Sequence, residues 1–360
     1  MSRVRTRRGR HARRSEGRAA GPLGLPAGPL TLSDDWRAWV VDNALRGVDR
    51  TSLIRTLAEN GVPAHLARAE VEALLASPAL PACARLQRRV EQLELVGRLL
   101  RTLGRFGPGE GAIERRATVT GEEFFRHYLA ASRPAVLTGL TEGWPARARW
   151  SPAYFKERFG DLEVEIMADR EGDPACDRHS EAHRRTTRMA DFIDRLGAAG
   201  RSNDIYMVAQ NRALQRTRLR EVLEDLAPPG DLFDPQRIGG GVSLWIGPAG
   251  TVTPLHHDTT NNLFCQMVGR KRFWLVSPLE TALLEGARGF YAGVRAEEIR
   301  ERPELAGVRV HEVELAAGEA LFIPAGWWHE VTALDVSVSV SLLHFRRPND
   351  FGWYKPGALG

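Results

Sequence analysis

Apolar and polar positions divide the chain into three textures. Residues 1–30 carry Arg, Gly and Pro around stretches such as "GRAAGPLGLPAGPL" without periodic apolar positions, which predicts a flexible leader. From Ser33 the spacing turns helical. In "LSDDWRAWVVDNALRGV" Ser33 stands where an N-cap belongs, acids follow in the first turn, and Trp36, Trp39, Val40, Ala44 and Val48 fall near helical spacing. A second helix stops at Asn60-Gly61, and a third starts after Pro63 and ends before Ser77-Pro78. Next, Leu86, Val90, Leu93, Val96, Leu100 and Leu103 line one face of an Arg- and Glu-rich helix. Such a seam pairs with another chain, as in a homodimer, or packs on the protein's own body; so few heptads leave both open. The pattern predicts a small α-helical N-terminal module over residues 31–105, closed by the breaker "LGRFGPGEGA".

Beyond residue 118 the period shortens. "TGEEFFRHYLAASRPAVLTG" reads as a helix and a short buried strand ending at Gly139, followed by a second helix and a strand from Leu162 to Met167. "RMADFIDRLGAAG" predicts another helix and "DIYMVAQ" another strand. From Gly241 the segments "VSLWIG", "NLFCQMVG", "RKRFWLVS", "VRVHEVEL", "ALFIPA" and "SVSVSLLHF" are short, β-rich and separated by turns. Strands at this density, without long helices between them, predict an antiparallel barrel or sandwich rather than a parallel α/β sheet. Residues 118–348 are thus expected to form one mainly β domain with helices, and 349–360 a tail.

With 360 residues, 43% of them hydrophobic, the chain can bury a substantial core. Its longest apolar runs fall short of the ~20 residues a membrane span needs, and no apolar signal core opens the chain. Three scattered cysteines, Cys83, Cys176 and Cys265, suit a reducing compartment, so the cytoplasm is expected. The net charge of +5 is unevenly spread: residues 1–20 hold eight Arg against Glu16, which leaves the rest of the chain slightly acidic. That arm can bind phosphates, as of RNA, or acidic lipid headgroups, or remain a solvated tail. The rest of the chain lacks the distributed basic surface that RNA binding usually needs.

Candidate chemistry concentrates in "TPLHHDTTNNLF". On a strand, residues i and i+2 share a side, so His256 and Asp258 can face one point while His257 turns away. "GEALFIPAGWWHEV" offers His329 as a third ligand. Two imidazoles and one carboxylate on one face of a cation leave the other face open, the arrangement associated with non-haem Fe(II) oxygenases, whereas four protein ligands would indicate structural zinc. A lone His-x-Asp is weak, and often only a hydrogen-bonded pair. "CDRHSEAHRR" spaces Cys176, His179 and His183 like one edge of a zinc site but lacks a second pair, which favours a polar loop near the cleft mouth, and "IGGGV" lacks the helix and Gly-Lys of a phosphate loop.

"GTVTPLHHDTTNNLFCQMVGRKRFWLVSP" followed by "GEALFIPAGWWHEV" resembles the cupin-like JmjC family of Fe(II)- and 2-oxoglutarate-dependent oxygenases, and is most similar in style to its asparaginyl hydroxylases and their bacterial cupin-like relatives. The resemblance spans roughly residues 118–348. It implies a double-stranded β-helix, the cupin or jelly-roll fold, with iron on His256, Asp258 and His329. It further implies that Lys271 anchors the distal carboxylate of 2-oxoglutarate, that Thr253 and Tyr206 hydrogen-bond the same carboxylate, that Asn262 lies near the co-substrate and that Phe264 forms an aromatic wall. From the residues alone, Lys271 is also one of a basic trio with Arg270 and Arg272 on a strand edge. Where the asparaginyl hydroxylases have an asparagine on the last barrel strand, this chain places Ser341, with His344 nearby. The implied activity is hydroxylation of an unactivated C–H bond, with a protein or peptide side chain as the favoured substrate. An RNA nucleoside hydroxylase, a lysine demethylase and a non-catalytic, metal-stabilised cupin scaffold are the alternatives.

Overall fold

The computed structural model describes residues 31–104, 106, 112–208, 213–284 and 289–351; the expected leader and most of the expected tail lie outside the described residues. The chain divides into two compact units, Met1–Leu100 and Arg101–Gly360.

The first unit is helical, with α1 Asp34–Leu45, α2 Arg50–Glu59, α3 Ala64–Ala76 and the start of α4, Ala79–Gly104. Ser33 caps α1 by accepting the Trp36 N–H at 3.4 Å, and Asp49 caps α2 by accepting that of Ser52 at 3.0 Å. Past the end of α2, Gly61 turns the chain at φ +88°, a conformation that glycine reaches without a Cβ penalty. Leu32, Val40, Leu53, Leu57, Ala67 and Val71 form the core. Arg37 forks onto both Glu70 oxygens at 3.0 and 3.1 Å. α4 contributes no buried residue, and its apolar seam is exposed along its length.

In the second unit the strands are β1 Glu114–Arg116, β2 Ala135–Leu137, β3 Glu163–Met167, β4 Arg184–Arg188, β5 Val242–Gly247 and β6 Val252–His256, then β7 Asn262–Val268, β8 Lys271–Val276, β9 Val310–Leu315, β10 Ala320–Ile323, β11 Trp328–Ala333 and β12 Ser337–Leu342. They form a six-stranded sheet ordered β1-β2-β10-β7-β12-β5, a four-stranded sheet ordered β6-β11-β8-β9, and the hairpin β3-β4. Phe264, Leu321 and Ile323 of the larger sheet pack against Phe273, Leu275, Val313 and Val331 of the smaller one, so the two sheets close face to face into a double-stranded β-helix. All pairings are antiparallel except β1 with β2.

Strand alternation explains which side chains reach the interior. On β12, Val338, Val340 and Leu342 face a helix-covered core with Phe124, Phe155 and Phe192, which leaves Ser337, Ser339 and Ser341 on the opposite, equally buried face. On β8, Lys271 shares the inner face with Phe273 and Leu275 and is therefore drawn into the barrel rather than left on its edge. The segment expected as a strand at "DIYMVAQ" makes only two isolated bridges, Tyr206 to Met167 and Met207 to Ile246. It links the β3-β4 hairpin to β5, and consecutive residues serve different neighbours, so no ladder extends. Residues 209 and 210 of that stretch lie outside the described residues.

Candidate active site

β6 and β11 are neighbours, and their register sets His329 directly opposite His256, with a bulge just after His329. The two rings lie 4.1 Å apart between centroids, and His329 Nε2 is 3.8 Å from Asp258 Oδ2. One donor atom from each of His256, Asp258 and His329 lies within 4.8 Å of the others, and this is the single three-donor group among the described residues. Asp258 stands just past the end of β6, where the Gly326 N–H donates to its backbone carbonyl at 2.9 Å and ties its loop to the turn before β11. His257 stays out of this group: it is buried against Trp328, with ring centroids 4.4 Å apart.

Both candidate imidazole ligands have a fixed tautomer. His256 Nδ1 is 2.8 Å from the Pro254 carbonyl and His329 Nδ1 is 2.9 Å from that of Trp327. A carbonyl only accepts, so each Nδ1 carries the proton and each Nε2 lone pair stays free for a metal. Burial, reinforced by the neighbouring His256, holds His329 below its usual range, at about 4, which keeps it neutral and able to ligate.

A cavity of about 780 Å³ opens beside the triad, and Lys271, Tyr206, Thr253 and Asn262 all line it. Lys271 is buried, donates from Nζ to the Tyr206 hydroxyl at 3.1 Å, and lies over the rings of Tyr206 and Phe264 at 5.4 and 5.0 Å. Thr253 hydrogen-bonds the same tyrosine hydroxyl, and burial raises the Tyr206 pKa. Among the described residues no carboxylate pairs with the ammonium, and burial lowers its pKa to about 7. A buried ammonium without a counter-charge is costly, and an incoming carboxylate would relieve that cost. Asn262 Oδ1 is buried without a hydrogen-bond partner among the described residues. Two imidazoles, one carboxylate and, behind them, a cation without a counter-charge among the described residues and with two hydroxyls thus fit a divalent metal and a small dianionic keto acid.

Ser341 lines the cavity and accepts the Trp245 indole N–H at 3.1 Å, whereas His344 bonds the Arg237 carbonyl and lies off the cavity. Trp327 and Trp328 do not line it; their indole N–H groups donate to Ser132 and Thr281. His179 and His183 both bond Asp173, and with Cys176 they form no three-donor group. In the outer wall, the polar loop "CDRHSEAHRR" lies at the cavity as its sequence suggested, whereas nothing in the sequence pointed to Tyr291. Tyr291 bridges His256 from the insertion between β8 and β9, its hydroxyl reaches the Asp177 carbonyl at 3.4 Å, and Arg178 donates to the Ala292 carbonyl at 3.0 Å. Two irregular segments far apart in sequence meet there, and neither has a periodic signal.

Residues 121–350 match the model of a family described as the cupin-like domain. The chain belongs to that family. Among curated proteins it is 30% identical over 246 residues to Lysine-specific demethylase 8 of Xenopus tropicalis, an alignment covering 64% of this chain and 52% of that protein. It is 29% identical over 251 residues to tRNA wybutosine-synthesizing protein 5 of Danio rerio, with 64% and 74% covered. It is 22% identical over 249 residues to the Bifunctional peptidase and (3S)-lysyl hydroxylase JMJD7 of Homo sapiens, with 61% and 79% covered. The chain thus spans about half the length of the first of these relatives. Fe(II) and 2-oxoglutarate are the working pair of the JmjC oxygenases, and the donor set described above fits both.

Proposed function

We propose that this chain is an Fe(II)- and 2-oxoglutarate-dependent dioxygenase that hydroxylates an unactivated C–H bond on a protein or peptide side chain. The observation that carries the reading is the conjunction, in one cavity, of an open His-Asp-His group with a buried lysine that has no counter-charge among the described residues. His256, Asp258 and His329 would hold the metal, and Lys271, Tyr206 and Thr253 the distal carboxylate of the keto acid. Bound together, the metal and 2-oxoglutarate supply dioxygen activation: the keto acid is converted to succinate and CO₂ as one oxygen atom enters the substrate. The chain's own work is ligation, orientation and exclusion of water. Phe264, Phe273, Ile323 and Val331 give the cavity an apolar lining, and Tyr291 with Arg178 walls the side left to the acceptor.

A protein or peptide acceptor is supported by the near-neutral, slightly acidic charge of the chain after residue 20, and by a relative named as a lysyl hydroxylase. A lysine demethylase would begin with the same C–H hydroxylation, on an N-methyl group, and three relatives carry that name. RNA is the second reading, favoured by the relative named for tRNA wybutosine synthesis and by the eight arginines of residues 1–20, which lie outside the described residues. A reducing compartment such as the cytoplasm suits the three free cysteines, and no helix among the described residues is long and apolar enough to cross a membrane.

The test is turnover with candidate peptides and RNAs, followed by succinate release and by mass spectrometry for the gain of one oxygen atom. Hydroxylated peptide with stoichiometric succinate supports the reading. Oxygen gain confined to RNA, and lost on deletion of residues 1–20, selects the second. Metal binding without succinate under any condition leaves a scaffold cupin instead of an enzyme.

A further inference from the structure

We propose that α4 is a dimerisation helix whose exposed leucine seam pairs, in parallel and in register, with the same helix of a second copy of this chain. The proposal is independent of the oxygenase reading. Leu86, Val90, Leu93, Val96, Leu100 and Leu103 are between 45% and 66% exposed, while Leu53 and Leu57 of the neighbouring α2 are fully buried. The described part of the module therefore completes its core without α4, and the seam is left facing solvent, as are Leu95 and Leu99 on other sides of the helix. Stripes of this size mark interaction surfaces more often than bare surface.

The occupant follows from the spacing. Leu86, Leu93 and Leu100 recur at intervals of seven, a repeat that keeps one seam facing another helix, whereas packing on a sheet imposes no such period. Val90 falls four residues after Leu86, so a β-branched residue occupies one core layer and leucine the alternate layers, a combination that favours two parallel strands. The next layer of the Val90 type is Gly97. A Cβ there would meet nothing within 4 Å among the described residues, so no contact among them calls for a residue that weakens a helix interior; close approach of a second helix does.

Charge selects the same partner. Arg89 and Glu94 flank the seam and are both exposed. Five residues apart, they do not face each other on one helix. In a parallel, in-register pair each Arg89 lies beside the partner helix's Glu94, and two-fold symmetry makes the contact twice.

Sedimentation equilibrium of the full chain across the micromolar range tests this without metal or substrate. The expected result is a dimer that Leu93→Glu converts to monomer with the far-UV helical signal retained. Arg89→Glu should raise the dimer Kd roughly tenfold by replacing two attractions with two repulsions, and Arg89→Glu combined with Glu94→Arg should restore it. The charge swap decides independently should Leu93→Glu disturb the helix. A native chain that stays monomeric at every concentration overturns the proposal and assigns the seam to an occupant within the chain or to a different protein. A dimer indifferent to Leu93→Glu, or not recovered by the double charge swap, overturns it as well.

Discussion

Replacing Lys271 with methionine separates the cost of a buried cation from its use. Burial lowers this ammonium from an ordinary 10.5 to about 7. At ~1.4 kcal/mol per pKa unit, holding it in the folded protein at pH 7 costs about 4 kcal/mol relative to an unshifted lysine. The unfolded chain binds the proton more tightly, so stability should rise with pH from about 7 toward 10.5. Methionine keeps most of the volume and removes the charge, but it forfeits the 3.1 Å hydrogen bond to Tyr206. That loss returns ~1 kcal/mol, which leaves Lys271→Met more stable than the parent by roughly 2–3 kcal/mol near neutral pH and by less at pH 9. The same change removes the partner of the keto acid's far carboxylate in a desolvated site, a loss of ~3–4 kcal/mol that should raise the KM for 2-oxoglutarate by roughly 10²–10³-fold. Urea unfolding at the two pH values and succinate release against 2-oxoglutarate concentration read both effects. A variant less stable than the parent, or one with a KM within threefold of it, would refute the reasoning.

In the parent, the KM for 2-oxoglutarate should be flat below about pH 7 and rise up to tenfold per pH unit above it, because only the protonated Lys271 pairs with a carboxylate; a flat profile to pH 9 would remove Lys271 from the anchor position. His256→Ala and Asp258→Ala should abolish iron content measured by elemental analysis, while His257→Ala keeps it and costs ~2–3 kcal/mol of stability through lost packing on Trp328. Equal iron loss in all three would mean that the β6 register is wrong. Arg295→Ala should destabilise the catalytic unit by ~3–5 kcal/mol in thermal unfolding, because Glu330 is fully buried and receives two guanidinium hydrogen bonds at 3.0 and 2.7 Å. Glu330→Gln, which keeps shape and removes the charge, should cost less than Arg295→Ala.

Much of the site was legible because its determinants are local. His256 and Asp258 sit two apart at the end of β6, whereas the residues alone also allowed Lys271 a place on a strand edge, and only the core formed by Phe273 and Leu275 on the same face of β8 shows why it turns inward. Alternation on β12 likewise announced a strand, although which face held the serines depended on the helices covering the other. What could not be read arises from contacts between distant segments. The pairing of His329 with His256 is a property of sheet order, and the outer wall of Tyr291, Asp177 and Arg178 joins two insertions with no repeating pattern. "DIYMVAQ" has the composition of a strand, but it is stretched between two sheets and pairs with each through one residue.

The most direct test is an anaerobic titration of the apoprotein with Fe(II) and then 2-oxoglutarate, followed in the visible region. A weak charge-transfer band should appear only when both are present, disappear in His256→Ala, and need far more 2-oxoglutarate in Lys271→Met. No band with both components at saturation, together with no succinate on admitting oxygen, would contradict the assignment of this cavity to iron and a keto acid.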